Sequence, residues 1–294
     1  MGRGVGMKAR AAAARQATYV YGVVRAGAEL RLGAAPRGLP RAGPPRLLDV
    51  GGGLRAVVAD VPLERYGEEA IARGLQDLKW VSACALAHEA VVEHAAALGP
   101  VVPMKLWTIF AGDERARAHL AKARARVARV LQRVAGCQEW GVRLHLDRAR
   151  AVAASLARAG GGRGRAAAGR SNGRRGAAAS SGRAFLLRKK AQADAVQALA
   201  TGARDAAERV HAGLARLARA DQRRAPAAST AANVGAVSVA GGSVVLDAVY
   251  LVPSERLASF RGAARALHDR LAPQGYELSL NGPWPPYSFV AEGA

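Results

Sequence analysis

Thr18-Tyr19-Val20-Tyr21-Gly22-Val23-Val24 decides the fold class. β-branched and aromatic residues fill the run almost without a break, which is the composition of a strand. Leu54-Arg55-Ala56-Val57-Val58-Ala59-Asp60-Val61 is a second run of the same kind, stopped by Pro62. Between them residues 33–53, with Pro36, Pro40, Pro44, Pro45 and many glycines, read as a long loop.

Downstream the pattern changes to a helical one. Glu68 and Glu69 stand where the positive end of a helix dipole favours acids. Ile71, Leu75, Leu78, Ser82 and Ala85 recur at three- and four-residue steps, so they share one face of a helix running to about Leu98. Gly99-Pro100 ends it. Val101–Phe110 is a third strand. Gly112-Asp113-Glu114 caps a helix over 114–135, which Gly136 terminates, and Glu139–Leu146 is a fourth strand. The order β-β-α-β-α-β predicts an α+β, ferredoxin-like sandwich over residues 18–147, with no helix in the first connection. Residues 1–17, rich in Gly, Ala and Arg, read as a disordered N-terminal extension.

A different material follows. Residues 148–183 are an Arg-Ala-Gly-Ser low-complexity stretch, with Gly160-Gly161-Gly162 and Ser180-Ser181-Gly182, and read as a flexible linker or insert. Residues 184–294 then predict a second α+β domain. Its long helix, 184–221, carries Val196, Leu199, Ala203, Ala206, Val210 and Leu217 at helical spacing. A loop over 222–232, a short strand over Val234–Val239, a turn at Gly241-Gly242, a strong strand over Val244–Val252, a helix over 254–271 and a strand over Tyr276–Leu280 complete it. The chain closes on Asn281-Gly282-Pro283-Trp284-Pro285-Pro286-Tyr287-Ser288-Phe289.

The net charge of +22 suggests nucleic acid until it is mapped. Residues 1–48 are net +8 and residues 148–193 net +12, whereas 49–147 and 194–294 are each net +1. The folded regions are therefore close to neutral, and the excess sits in blocks of the kind that are usually solvated. The basic block 148–183 contains no aromatic residue, so it lacks the stacking platforms of a single-strand binder. A basic nucleic-acid-associated protein stands as the alternative to the reading reached below.

Signatures of catalysis are absent from the sequence. The glycine clusters at Gly2–Gly6 and Gly160–Gly164 lack a preceding strand, and no Gly-Lys-Ser/Thr occurs. His88 and His94 are six residues apart and cannot share an ion on one helix face, as a zinc-protease helix requires. No Gly-x-Ser-x-Gly elbow is present. Cys84 and Cys137 are too few and too far apart for a disulfide framework and read as two buried thiols. No catalytic residue, cofactor-binding residue or metal ligand is assigned. With no signal peptide and no run of about 18 apolar residues, the expected location is cytoplasmic.

Three stretches carry a resemblance. They are Tyr19–Val24 with Leu54–Leu63; Ala87-His88-Glu89-Ala90-Val91-Val92 through Val101–Phe110; and Ala248–Val252 with the ending Gly282-Pro283-Trp284-Pro285-Pro286-Tyr287-Ser288-Phe289. Together they resemble the gas vesicle GvpL/GvpF family, from about Tyr19 to Phe289. The sequence departs from the family pattern in the length of the 149–182 insert, the extension to Ala17, and the residues at Met104, Lys105 and Trp107. The resemblance implies two α+β domains, the first ferredoxin-like. It also implies a non-enzymatic accessory or minor structural role without cofactor, binding to the hydrophobic shell protein GvpA and to other gas vesicle accessory proteins, and help in nucleating the vesicle.

Two places offer partner contacts. The helical seam of Val196, Leu199, Val210 and Leu217 could take a partner helix or pack within its own domain. Trp284, Tyr287 and Phe289, on a Pro-rich backbone, could anchor a partner or lock the C-terminus over the core.

Overall fold

The structure, a computed structural model, describes residues 16–25, 27, 31–161, 179–224 and 243–290, without the side chains of 156–161, 179–188, 191–193, 195 and 196. The sequence expectations for residues 1–15, Val234–Val239 and Gly241-Gly242 lie outside the described residues. The chain divides into two compact units: residues 1–139 with 283–294, and residues 140–282.

Unit 1 is built on β1 (Gln16–Arg25), β2 (Arg46–Gly51), β3 (Leu54–Pro62), β4 (Val101–Pro103) and β5 (Ile109–Phe110). The path is β2-β3-β1-β4, with β5 also pairing β1, and every pairing is antiparallel. The residues that decided the fold class fill its centre: β1 is buried from Ala17 to Val24. A bulge between Val20 and Gly22 changes the phase of β1. Tyr19, Tyr21 and Val24 consequently join Val57, Ala59 and Val61 on one face, while Val20 and Val23 join Ala56 and Val58 on the other.

Each face is covered by helices. On the first lie α1 (Leu63–Tyr66), burying Tyr66, and α3 (Leu78–Leu98), burying Cys84, His88, Val91, Val92 and Ala95; between them α2 (Glu68–Gly74) buries no residue. On the second lie α4 (Asp113–Lys122) and α5 (Arg124–Val134), burying Ala116, Leu120, Val127, Leu131 and Val134. Thr18 Oγ1 and Arg46 both donate to the Asp113 carboxylate, tying α4 to the sheet, and Arg46 also donates to Asp60.

Unit 2 holds β6 (Cys137–Leu146), α6 (Arg148–Gly161), α7 (Ala179–Ala215), β7 (Ala220–Arg223), β8 (Ser243–Pro253), α8 (Leu257–Leu271) and β9 (Tyr276–Trp284). β6 begins in unit 1 and β9 ends there. The sheet order is β7-β8-β6-β9. Trp140, Val142, Leu144 and Leu146 of β6 and Leu246, Ala248, Tyr250 and Val252 of β8 face one core, against α7 and α8.

The α+β class holds, and several sequence expectations are corrected. The loop over 33–53 contains β2, and its remainder is pinned: Leu39 is buried, Leu39 N donates to Tyr21 Oη, and Tyr66 Oη donates to the Pro40 carbonyl. The single helix over 68–98 is two, because the Asp77 side chain caps Lys79 N and Trp80 N and starts a new one. The stripe Ile71, Leu75, Leu78, Ser82, Ala85 is not the buried face of α3, since Leu75 and Leu78 are exposed. The strand over 101–110 is interrupted where Lys105–Trp107 leaves the sheet, with Trp107 at φ 71°.

The helix over 114–135 breaks at Ala123. The strand Glu139–Leu146 pairs in the second sheet, so the first is reached by β-β-β-α-β-β-α order. The stretch 148–161 of the basic insert is helical and places Ala151 in the core of unit 2. The long helix ends at Ala215, because Arg219 N bonds to the Leu251 carbonyl and the chain turns into β7. Tyr287–Val290 forms a short helix, α9, grouped with unit 1. Cys84 is buried, but Cys137 is only half-buried, its Sγ donating to the Ala135 carbonyl at 3.6 Å.

Candidate functional site

The C-terminal tail is gripped by side chains from three elements of unit 1. Tyr287 Oη donates to Glu89 Oε2 of α3 at 2.7 Å. Ser288 presents both N and Oγ to the Glu139 carboxylate, at 2.9 and 2.6 Å. Arg133 of α5 donates to the Phe289 carbonyl. Tyr287 packs with the α3-side cluster and Val290 with the α5-side cluster, while Phe289 is 1 % exposed. The tail therefore caps the sandwich at its β4 border, which α9 contacts and which would otherwise offer an unpaired strand edge. Burial raises the Glu89 carboxyl above its ordinary range, opposed by the Tyr287 hydroxyl and reinforced by the nearby charges of Glu93 and Glu139.

The partner-contact residues named from the sequence fall in different surroundings. Trp284 is 46 % exposed at the end of β9. Tyr287 and Phe289 are turned into unit 1. Val210 is fully buried in the core of unit 2, and Leu199 and Leu217 pack against that core. The side chain of Val196, on α7, lies outside those described. Sequence reasoning missed Glu89, Glu139 and Arg133, the groups that hold the tail. Their one signal was that Glu89 falls inside the Ala87–Val92 stretch carrying the family resemblance.

Among the described residues, five of the seven exposed large apolar side chains lie on the α1–α3 layer: Leu63 at 38 %, Leu75 at 52 %, Leu78 at 67 %, Leu86 at 72 % and Leu98 at 45 %; the other two are Val152 and Trp284. Beside them Trp80 stacks on Trp107, ring centroids 4.9 Å apart and planes 10° from parallel, with Tyr66 at 6.2 Å from Trp80. A Cβ on Gly74 would meet the Trp80 ring at 2.3 Å, so only glycine lets the indole lie there. A cleft of about 250 Å³ opens next to Trp80, lined by Glu64, Arg65, Arg73 and Asp77.

His88 lies beneath this layer, 4 % exposed, with Nδ1 at 2.7 Å from Tyr19 Oη. Burial pushes its pKa down to about 4, against the Met104 carbonyl, which favours the charged ring. Among the described residues no group of three or more His, Cys, Asp or Glu could hold a metal ion, and no helix is long and apolar enough to cross a membrane.

The profile of the gas vesicle synthesis protein GvpL/GvpF family matches residues 17–291, and the chain belongs to that family. It is 32 % identical over 274 residues to gas vesicle protein L of Streptomyces sp. (strain CB03234), covering 92 % of each chain. Its fold is similar to that of two crystal structures at 14 % identity. Against GvpF from Anabaena sp. PCC7120 the TM-score is 0.61, with 94 % of this chain and 96 % of that one covered. Against GvpF from Microcystis aeruginosa it is 0.60, covering 93 % and 98 %.

Proposed function

We propose that this gas vesicle protein is a non-enzymatic, cytoplasmic assembly factor that binds the hydrophobic shell protein GvpA and assists nucleation of the vesicle, alongside other gas vesicle accessory proteins. The observation that carries the reading is the α1–α3 layer of unit 1. A helix normally turns its leucines inward; here Leu75, Leu78 and Leu86 are more than half exposed. Apolar surface left open on a folded body marks interaction sites, and a shell protein with a strongly apolar face needs such a surface before it polymerises. Trp284, exposed where the tail begins, is the tail aromatic offered to a partner. Val210 is buried in the core of unit 2 and Leu199 and Leu217 pack against it, which supports the alternative that this seam packs within its own domain.

Co-purification with GvpA tests the reading. Capture should survive high salt and deletion of residues 162–178, and should fall at least roughly tenfold when Leu75, Leu78 and Leu86 are changed together to Ser, the expected loss of about 1.4 kcal/mol or more. Failure to capture GvpA under any condition, with nucleic acid retained instead, overturns the reading in favour of the basic nucleic-acid-associated alternative.

A further inference from the structure

The two helical layers of unit 1 carry opposite charge. Residues 63–98 hold six acids and three bases in a chain that is net +22, whereas residues 113–134 hold seven bases and two acids. The sheet separates them, because α3 packs on the face of Tyr19 and Val57 and α4–α5 pack on the face of Val20 and Val58. The charged groups point outward: Glu64, Glu68, Glu69, Asp77 and Glu93 are exposed on the first layer against Arg73 and Lys79, and Arg115, Lys122, Arg124, Arg126 and Arg129 on the second against Glu114. The acidic layer is also the one that bears the exposed leucines.

We propose that copies of this protein stack front to back, the basic α4–α5 layer of one copy docking on the acidic, leucine-bearing α1–α3 layer of the next. Charge decides the arrangement. Front against front would oppose two acidic layers, and back against back two basic ones; only front against back brings opposite signs together. Leucine burial supplies affinity and the charges supply orientation, since single exposed ion pairs are worth little. Arginine suits this layer because its stem covers apolar surface while its guanidinium reaches a carboxylate. An interface between two different surfaces of one chain leaves a free front and a free back on every assembly, so the contact propagates as a stack unless its rotation closes a ring. Stacking shares its front face with the proposed GvpA contact but does not depend on it: in a stack that face stays covered, and GvpA competes for it.

Sedimentation velocity on the nuclease-treated full-length chain, without GvpA, tests the proposal. The wild type should show a concentration-dependent series extending past the dimer. A back variant (Lys122→Glu with Arg126→Glu and Arg129→Glu) and a front variant (Leu78→Ser with Leu86→Ser) alter only exposed positions, and circular dichroism confirms their folding. Each alone should self-associate at least roughly tenfold more weakly. Mixed in equal amounts they should form a dimer and nothing larger, because the intact front of one meets the intact back of the other. Three outcomes overturn the stack: a wild type that is monomeric or stops at a dimer, a mixture no more associated than either variant, and association that survives the charge reversal yet is lost on deleting residues 162–178. GvpA capture by the back variant, whose front is intact, is read separately, so a failed stack and a failed shell contact are told apart.

Discussion

The two units use their sheets differently. In unit 1 the central strand is buried on both faces, from Ala17 to Val24 without alternation, because helices lie above and below it. In unit 2, Trp140, Val142, Leu144 and Leu146 of β6 face the core while Gly141, Arg143 and His145 between them stay half-buried. A continuous apolar run signals two covering layers and an alternating run signals one. The histidines show the same contrast. His88 of unit 1 meets Tyr19 and the rings of the core, whereas His211 of unit 2 meets Tyr250 at 2.9 Å on one nitrogen and Asp221 at 3.1 Å on the other.

Substitutions in β1 and β6 put the contrast to its hardest test. Val20→Asp and Val57→Asp point to opposite faces of the first sheet, and each should cost more than about 4 kcal/mol in urea unfolding, since a carboxylate would be buried without a partner. Val142→Asp should behave likewise in unit 2, but His145→Asp on the alternate face should cost under about 1 kcal/mol. Equal tolerance of Val20→Asp and His145→Asp would break the three-layer description of unit 1.

The tail comes next in size. Phe289→Ala removes a fully buried ring and should destabilise unit 1 by about 3–4 kcal/mol. Hydrogen exchange should then accelerate in α3 and β4 while α7 and β8 keep their protection; uniform acceleration through both units would contradict a lock confined to unit 1.

Acid should weaken unit 1 through His88. Its pKa is about 4 in the folded chain against an ordinary 6.5. The unfolded state therefore binds more protons between these values, and stability falls as pH drops from about 6.5 to about 4, by about 3 kcal/mol in all. His88→Gln should flatten that part of the profile measured by denaturant titration at each pH. A slope unchanged by the substitution would assign the acid sensitivity elsewhere. The smallest effect belongs to Tyr287→Phe, which deletes the hydroxyl that donates to Glu89 and should cost about 1 kcal/mol, read from the same titrations.

Much of the fold was legible because strands and helices leave local marks. The run at Thr18–Val24, the stop at Gly99-Pro100, the left-handed Gly136 and the apolar stretch at Val244–Val252 each act within a few residues, and their elements appear where expected. Errors gathered where a distant group intervened. Trp107 looked like a strand residue, yet Met104 N bonds to Tyr21 and Val20 N to Thr108, leaving the segment between them to swing out and lay its indole on Trp80. The spacing of Ile71, Leu75, Leu78, Ser82 and Ala85 predicts one face of one helix, but the cap at Asp77 starts a new helix, in which Cys84, His88 and Val91 face inward. The clasp on the tail was invisible for the same reason: Glu89 and Tyr287 are 198 residues apart.

By itself the sequence determined the α+β class, the division into near-neutral folded regions and basic blocks, and the family resemblance. All of these rest on residue type and short-range order. Only the tertiary structure decided which sheet β6 joins, where the tail is held, and that the near-neutral stretch 49–147 separates into an acidic layer and a basic one. Those outcomes depend on which residues meet across the sheet, and side-chain packing and electrostatics act through space without regard to separation along the chain.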